Sequence, residues 1–149
     1  MVCEFLVDPD CIPYPPNKKW MQITKDWVFY VDGKEYWIPA GYWFDGASIP
    51  SIFWMLIGSP FLPQFWAAAL PHDWGYLTHV LPKSVYDELF RQFLIASRVG
   101  SFKARIMWSA VRTGGLLAWG NTIADIEELA KIKSELNERP DGQKFLLTV

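Results

Sequence analysis

The chain has 149 residues, enough for one domain that buries about 70% of its unfolded surface without disulfide or metal staples. It is 51% hydrophobic and 20% charged, which excludes a disordered chain, and its net charge of -2 excludes whole-protein attraction to nucleic acid or acidic membranes. The 17% aromatic content includes nine tryptophans, more than one small core absorbs, so an aromatic surface for a partner or a lipid stands beside core filling.

The opening residues MVCEFLVDPD carry no basic region and reach Asp8 early, so no export signal is expected, and Cys3 and Cys11 read as free thiols. Residues 1–19 end in IPYPPNKK, where the prolines exclude helix and predict an extended arm or a sheet edge. Residues 20–44 are β-rich: WMQIT, WVFYV, EYWIP and YWF, with Asp32-Gly33 as a hairpin turn, predict two or three antiparallel strands.

Residues 45–119 form a helical region. A turn at Asp45-Gly46 leads to a short helix near Pro50, with Ser48 as its cap. The longest apolar run is broken by Gly58, Pro60 and Pro63, short of the about 20 residues a membrane span needs, so no transmembrane segment is expected. Pro63 opens a helix reaching His79, and Pro71 removes one backbone bond inside it, predicting a kink beside His72. Ser84 begins the next helix, with Asp87 completing a capping box and Gly100 closing it; a further helix runs from Ser101 to Leu117.

Residues 121–139 make an amphipathic C-terminal helix with the stripe Ile123, Ile126, Leu129, Ile132 and Leu136 and the pair Glu127 and Lys131. Pro140 and Asp141-Gly142 end it, and KFLLTV adds a terminal strand. The fold class is α+β in a single domain over 1–149, a small antiparallel sheet followed by a bundle of four to five helices.

The chemistry centres on His72-Asp73-Trp74-Gly75-Tyr76. His72 and Tyr76 share a helix face, while Asp73 points about 100° away. A neutral imidazole takes a proton best when a carboxylate fixes its tautomer, and Asp87 on the following helix is the candidate orienter. Asp73 is then free to hold Ca2+ or Mg2+ together with Asp45, and Tyr76 steadies the carboxylates. Each residue also has a structural use: Asp87 as a capping residue, Asp45 in a turn, His72 with Asp73 as a polar pair at a kink.

His72 and His79 lie two helical turns apart, roughly 10 Å, too far to share a zinc ion. Phosphate-loop, CxxC and GxSxG patterns do not occur. From Arg91 to Ala124 the charged residues are all basic, and Arg105 and Arg112 share a face near Trp108, a pattern for phosphates or lipid headgroups as well as for an ordinary solvated face.

The blocks FDGASIPSIFW, AAALPHDWGY, YDELFRQFL and RIMWSAVRTGG, in that order over about residues 43–119, resemble a family of small phage and prophage proteins of unknown function. Its members read roughly (T/F)DxAS(I/V)P, AAxxHDxxY, ADxxFxxAM and MYxAVRxxG; Pro71 and Tyr86 depart from that pattern. The resemblance implies a viral protein made in the host bacterial cytoplasm and built into a virion, with other virion proteins as partners. A fainter resemblance is to the phospholipase A2 helices, which carry HDxxY on one helix and Asp on its antiparallel partner. It implies a His72–Asp87 dyad and calcium on Asp73, although the disulfides and the glycine-rich calcium loop of that family are missing.

Three functions follow as expectations. The first is a phage-encoded, metal-assisted ester or lipid hydrolase with His72, Asp87 and Tyr76 as its catalytic group. The second is a non-catalytic virion or tail-assembly component, and the third a phage protein that binds a host factor through its aromatic surface.

Overall fold

The computed structural model describes residues 1–13, 20–44, 58 and 62–146. Its strands are β1 (Cys3–Glu4), β2 (Cys11–Pro13), β3 (Met21–Ile23), β4 (Trp27–Val31), β5 (Lys34–Ile38) and β6 (Trp43–Phe44). After a 3-10 turn at Pro63–Phe65 come α1 (Trp66–Thr78), α2 (Lys83–Ala96), α3 (Ser101–Ala118), α4 (Ile123–Glu138) and α5 (Gln143–Leu146). This is the α+β architecture that the sequence predicts. The turn and helix expected at Asp45-Gly46, Ser48 and Pro50 lie outside the described residues.

Among the described residues there are six strands, in two antiparallel three-stranded sheets ordered β1-β4-β5 and β2-β3-β6, with four in residues 20–44 where two or three are expected. The other two come from the amino-terminal arm, which the sequence marks as an extended arm or a sheet edge. Cys3 pairs with Val31 and Cys11 with Ile23, so the arm supplies one edge to each sheet. The Asp32-Gly33 hairpin is present, with left-handed φ of 49° and 78° at its two central residues, the geometry of a type I′ turn. Asp32 also accepts the Val2 amide at 2.8 Å, and the Trp27 indole donates to the Val7 carbonyl at 2.7 Å, which pins the arm at both ends.

β4 alternates strictly, burying Trp27, Phe29 and Val31. Phe29 stacks on its cross-strand partner Tyr36 at 5.4 Å, and Phe93 of α2 meets both Trp27 and Phe29 edge-on. The core therefore lies between the first sheet and α2, and α2 in turn packs on α1 and α3. Among the eight described tryptophans only Trp27 and Trp74 are buried; the other six are half-exposed, so the rings exceed what the core takes in.

α1 is buried on nearly every side, from Ala67 through Leu77. It runs unbroken through Pro71 and ends where His79 takes a left-handed φ of 54° and donates its amide to the Gly75 carbonyl. Tyr86, one of the two departures from the phage-family pattern, lies against α1 at Gly75, where an added Cβ would sit 2.3 Å from the Tyr86 ring. At this contact a large ring on α2 is matched by a glycine on α1.

Three helix termini differ from expectation. Ser84 does not cap α2: Pro82 occupies the N-cap with no side-chain hydrogen bond, and Ser84 falls inside the helix. Gly100 does not close α2; the left-handed residue there is Arg98, with φ of 62°, and Gly100 is the N-cap of α3. The first part of KFLLTV is helical, not a strand, because Phe145 buries against Trp37 and Lys144 lies over that ring; residues 147–149 lie outside the description. On α4 the ion pair observed is Lys131 with Glu135 at 3.9 Å, and not Glu127 with Lys131. The stripe of α4 buries Leu136, half-buries Leu129 and Ile132, and leaves Ile123 and Ile126 exposed.

Candidate functional site

α1 and α2 bring the site together because each carries one polar residue on an otherwise apolar contact face: His72 and Asp87 are buried at 3% and 2% exposure. Asp87 points to α1, and its carboxylate accepts three hydrogen bonds. The Tyr76 hydroxyl donates to Oδ1 at 3.1 Å, His72 Nε2 lies 3.3 Å from the same oxygen, and Lys83 Nζ donates to Oδ2 at 2.7 Å. Lys83 also donates to the Arg112 carbonyl at 3.2 Å, which ties the cluster to α3. The structural use expected for Asp87, an N-terminal capping box, is not made.

The imidazole is flanked by two tilted rings, with the Tyr76 ring centroid 4.3 Å and the Phe90 centroid 5.2 Å away. With Nε2 turned to Asp87, Nδ1 faces Asp73 Oδ1 at 3.8 Å. Gly115 of α3 makes room for this arrangement: an added Cβ would stand 2.1 Å from the Tyr76 hydroxyl and 3.1 Å from Lys83 Cε. Trp119 closes the end of the helix pair, edge-on to Tyr76 and stacked on His79 at 4.2 Å.

The protonation states follow from this packing. Burial is the strongest influence on His72 and pushes it down, but the flanking Asp73 and Asp87 together outweigh it and hold the imidazole above its ordinary value. Burial likewise pushes Asp87 up, but His72 and Lys83 outweigh it and hold the carboxyl below the usual range. The Tyr76 phenol is driven far up by burial and by the Asp87 charge, so it stays a neutral donor.

His72, Asp73 and Tyr76 line a cleft of about 410 Å³. Trp20, Tyr42, Trp43 and Phe44 of the second sheet form one wall, Val111, Gly114, Gly115 and Ala118 of α3 another, and Asp125 and Glu128 of α4 lie at its side. Asp87 stands behind His72, outside the cleft lining. The arrangement is an imidazole lining a cleft with a buried carboxylate at its far nitrogen, a geometry that general-base chemistry can use.

Of the five residues singled out from sequence, the structure brings together His72, Asp73, Tyr76 and Asp87, while Asp45 lies outside the described residues. Asp73 supplies carboxylate oxygens of the kind Ca2+ or Mg2+ takes, but among the described residues no three His, Cys, Asp or Glu side chains form a ligand set. Sequence reasoning passed over Lys83, although its i, i+4 spacing to Asp87 was readable, and Gly115, which leaves no signal without the helix opposite it. Arg112 lies over the Trp108 ring at 5.1 Å, as their spacing suggested.

The segment that holds these residues matches a known family. Residues 21–111 match the model of the family described as Protein of unknown function (DUF1353), a span that holds His72, Asp73, Tyr76, Lys83 and Asp87. Two curated relatives come from Sinorhizobium fredii (strain NBRC 101917 / NGR234). Uncharacterized protein y4jT is 35% identical over 86 residues, 56% of this chain and 25% of the relative. Uncharacterized protein y4iH is 34% identical over 76 residues, 51% of this chain and 31% of the relative. The chain thus spans a quarter to a third of the curated relatives it matches. No solved structure matches it. With more than half of its length inside the family match, the chain belongs to the DUF1353 family of proteins of unknown function.

Proposed function

We propose that this protein is a hydrolase of acyl esters, with His72 as general base, Asp87 as the group that positions it, and Asp73 as the carboxylate that helps seat the attacking water. The observation that carries the reading is the placement of His72 on the cleft with Nε2 held by buried Asp87 at 3.3 Å and Nδ1 left toward Asp73. Water seated at the apex of Nδ1 and the Asp73 carboxylate gives one proton to Nδ1 as its oxygen bonds to the ester carbonyl carbon. The imidazolium then returns that proton to the departing alkoxide, so one ester and one water become one carboxylic acid and one alcohol. Lys83 and Tyr76 keep Asp87 ionised and in place, which stabilises the imidazolium formed midway.

The apolar walls of Trp43, Phe44, Leu77 and Val111 suit an acyl chain, and a phage-encoded lipid or ester hydrolase is the specific form we favour. The test is turnover of a graded series of acyl esters, from short p-nitrophenyl esters to dispersed phospholipid, by the parent, His72→Asn and Asp87→Asn. Loss of the base lowers kcat/KM by about 10² to 10⁴-fold. Equal rates in the parent and in His72→Asn would remove the reading.

A second reading, a non-catalytic virion or tail-assembly component, is favoured by the large apolar side chains left in water on α3 and α4: Phe102, Leu116, Ile123 and Ile126. Sedimentation of the purified chain at high concentration tests it, since assembly through these groups gives a concentration-dependent mass.

A further inference from the structure

The cleft beside His72 carries acidic groups, Asp73, Asp125 and Glu128, and among the described residues no lysine or arginine lines it. Two of these carboxylates are already matched. Asp73 faces the His72 imidazole. Asp125 closes the capping box of α4, accepting the Thr122 amide and hydroxyl, both at 2.7 Å, where the positive end of the helix favours it. Glu128, one turn further on, is half-buried and has no hydrogen bond or ion pair among the described residues. Burial and then the neighbouring Asp125 push its carboxyl above the ordinary value, and Lys131 only partly opposes them.

Glu128 also borders the adjoining groove, whose cations are engaged elsewhere: Lys131 with Glu135, and Arg139 with Asp26 and Asp141. Trp20 and Trp43 line the same cleft as Glu128, in contact with each other at 3.9 Å between ring centroids and both half-exposed. An unmatched carboxylate in one cleft with electron-rich rings is the chemistry that receives an ammonium group, the carboxylate by charge and the rings by their quadrupoles. A neutral acyl ligand alone would desolvate Glu128 with no return.

We propose that the cleft selects ligands bearing a quaternary or alkylated ammonium group, received by Glu128 with the Trp20 and Trp43 rings. As a statement about substrate this rests on the hydrolase reading, and it names the class: an ester whose ammonium end lies at Glu128 and whose carbonyl lies over His72. A cavity of about 410 Å³ accommodates such a molecule.

The experiment is equilibrium binding of tetramethylammonium to the full chain, followed by tryptophan fluorescence and by calorimetry, beside its neutral isostere neopentane-type alcohol and the variants Glu128→Gln and Trp43→Leu. Expected are saturable binding of the ammonium ion that weakens with added salt, a roughly fivefold or greater loss of affinity in Glu128→Gln, and a loss in Trp43→Leu. No ammonium binding, equal binding of the neutral isostere, or full affinity in Glu128→Gln would overturn the proposal. Because binding needs no turnover, the two readings fail separately. Saturable ammonium binding in a chain inert toward the whole ester series, choline esters included, overturns the hydrolase reading alone. Hydrolysis of neutral esters without ammonium binding overturns this inference alone.

Discussion

Two clusters of charge tie distant parts of this chain together. Between α1 and α2, Asp87 gathers His72, Tyr76 and Lys83, with the side chains of His72 and Asp87 only 4% and 3% exposed. At the other end of the molecule Asp26 gathers Arg139 and Lys144, which also share Asp141, with exposures from 20% to 47%. The ion-pair geometry is equally good: Arg139 grips Asp26 with two hydrogen bonds at 3.0 and 2.6 Å. What differs is water. In the buried cluster each group sets the protonation state of the next, whereas in the exposed one the solvent competes for every charge.

The largest effect expected from this contrast is on stability. Asp87→Ala leaves the buried His72 imidazole and the Lys83 ammonium without their shared anion, and the loss expected is about 3–5 kcal/mol, read from chemical denaturation. Equal losses from Asp87→Ala and Asp26→Ala would break the comparison, because burial would then not matter.

How far this contrast was readable in sequence depends on the element. The hairpin was, because Asp32-Gly33 allows few other conformations between WVFYV and KEYWI, and so was the shared face of His72 and Tyr76, which follows from helical spacing alone. Asp87 was ambiguous because a helix-starting Ser84 followed by Asp87 serves equally as a capping box. The decision was tertiary: Pro82 took the N-cap and Asp87 turned inward to α1. The arm was readable as a possible sheet edge but its partners were not, since Cys3 pairs with Val31 and Cys11 with Ile23 across intervals that no local pattern spans. The left-handed turn at Arg98, a position where glycine is usual, carries no residue signal at all.

A smaller effect separates the clusters by pH. His72 is held above its ordinary 6.5, so its contribution to stability is complete below about 6.5 and is lost as pH rises through the raised folded value. Asp87 is held below its ordinary 3.8, so its contribution is complete above about that pH and is lost as pH falls through the lowered folded value. The buried cluster is therefore at full strength between about 4 and 6.5. Above that window unfolding free energy falls by up to about 1.4 kcal/mol per pH unit, a slope that His72→Asn abolishes. The same proton governs the proposed base: hydrolysis rises with pH over the range in which stability falls. Stability that stays flat in the parent from pH 6 to 9 would contradict an imidazole held above its ordinary value.

The smallest expected effect lies in the exposed cluster, and it sharpens the comparison through salt. Arg139→Ala removes two pairings with Asp26 and Asp141 and also the contact of the guanidinium with the buried Phe145 ring, 4.6 Å from its centroid. The expected loss is about 1 kcal/mol at low ionic strength, toward the upper end for exposed pairs because the grip on Asp26 is bidentate. At 1 M salt the screening length falls to about 3 Å, so the ionic part of the loss shrinks while the part from stacking on Phe145 remains. The loss from Asp87→Ala is expected to change little over the same range, since counterions do not enter between α1 and α2. A loss in Arg139→Ala that is insensitive to salt would mean that α5 is held by the Phe145 contact and not by charge.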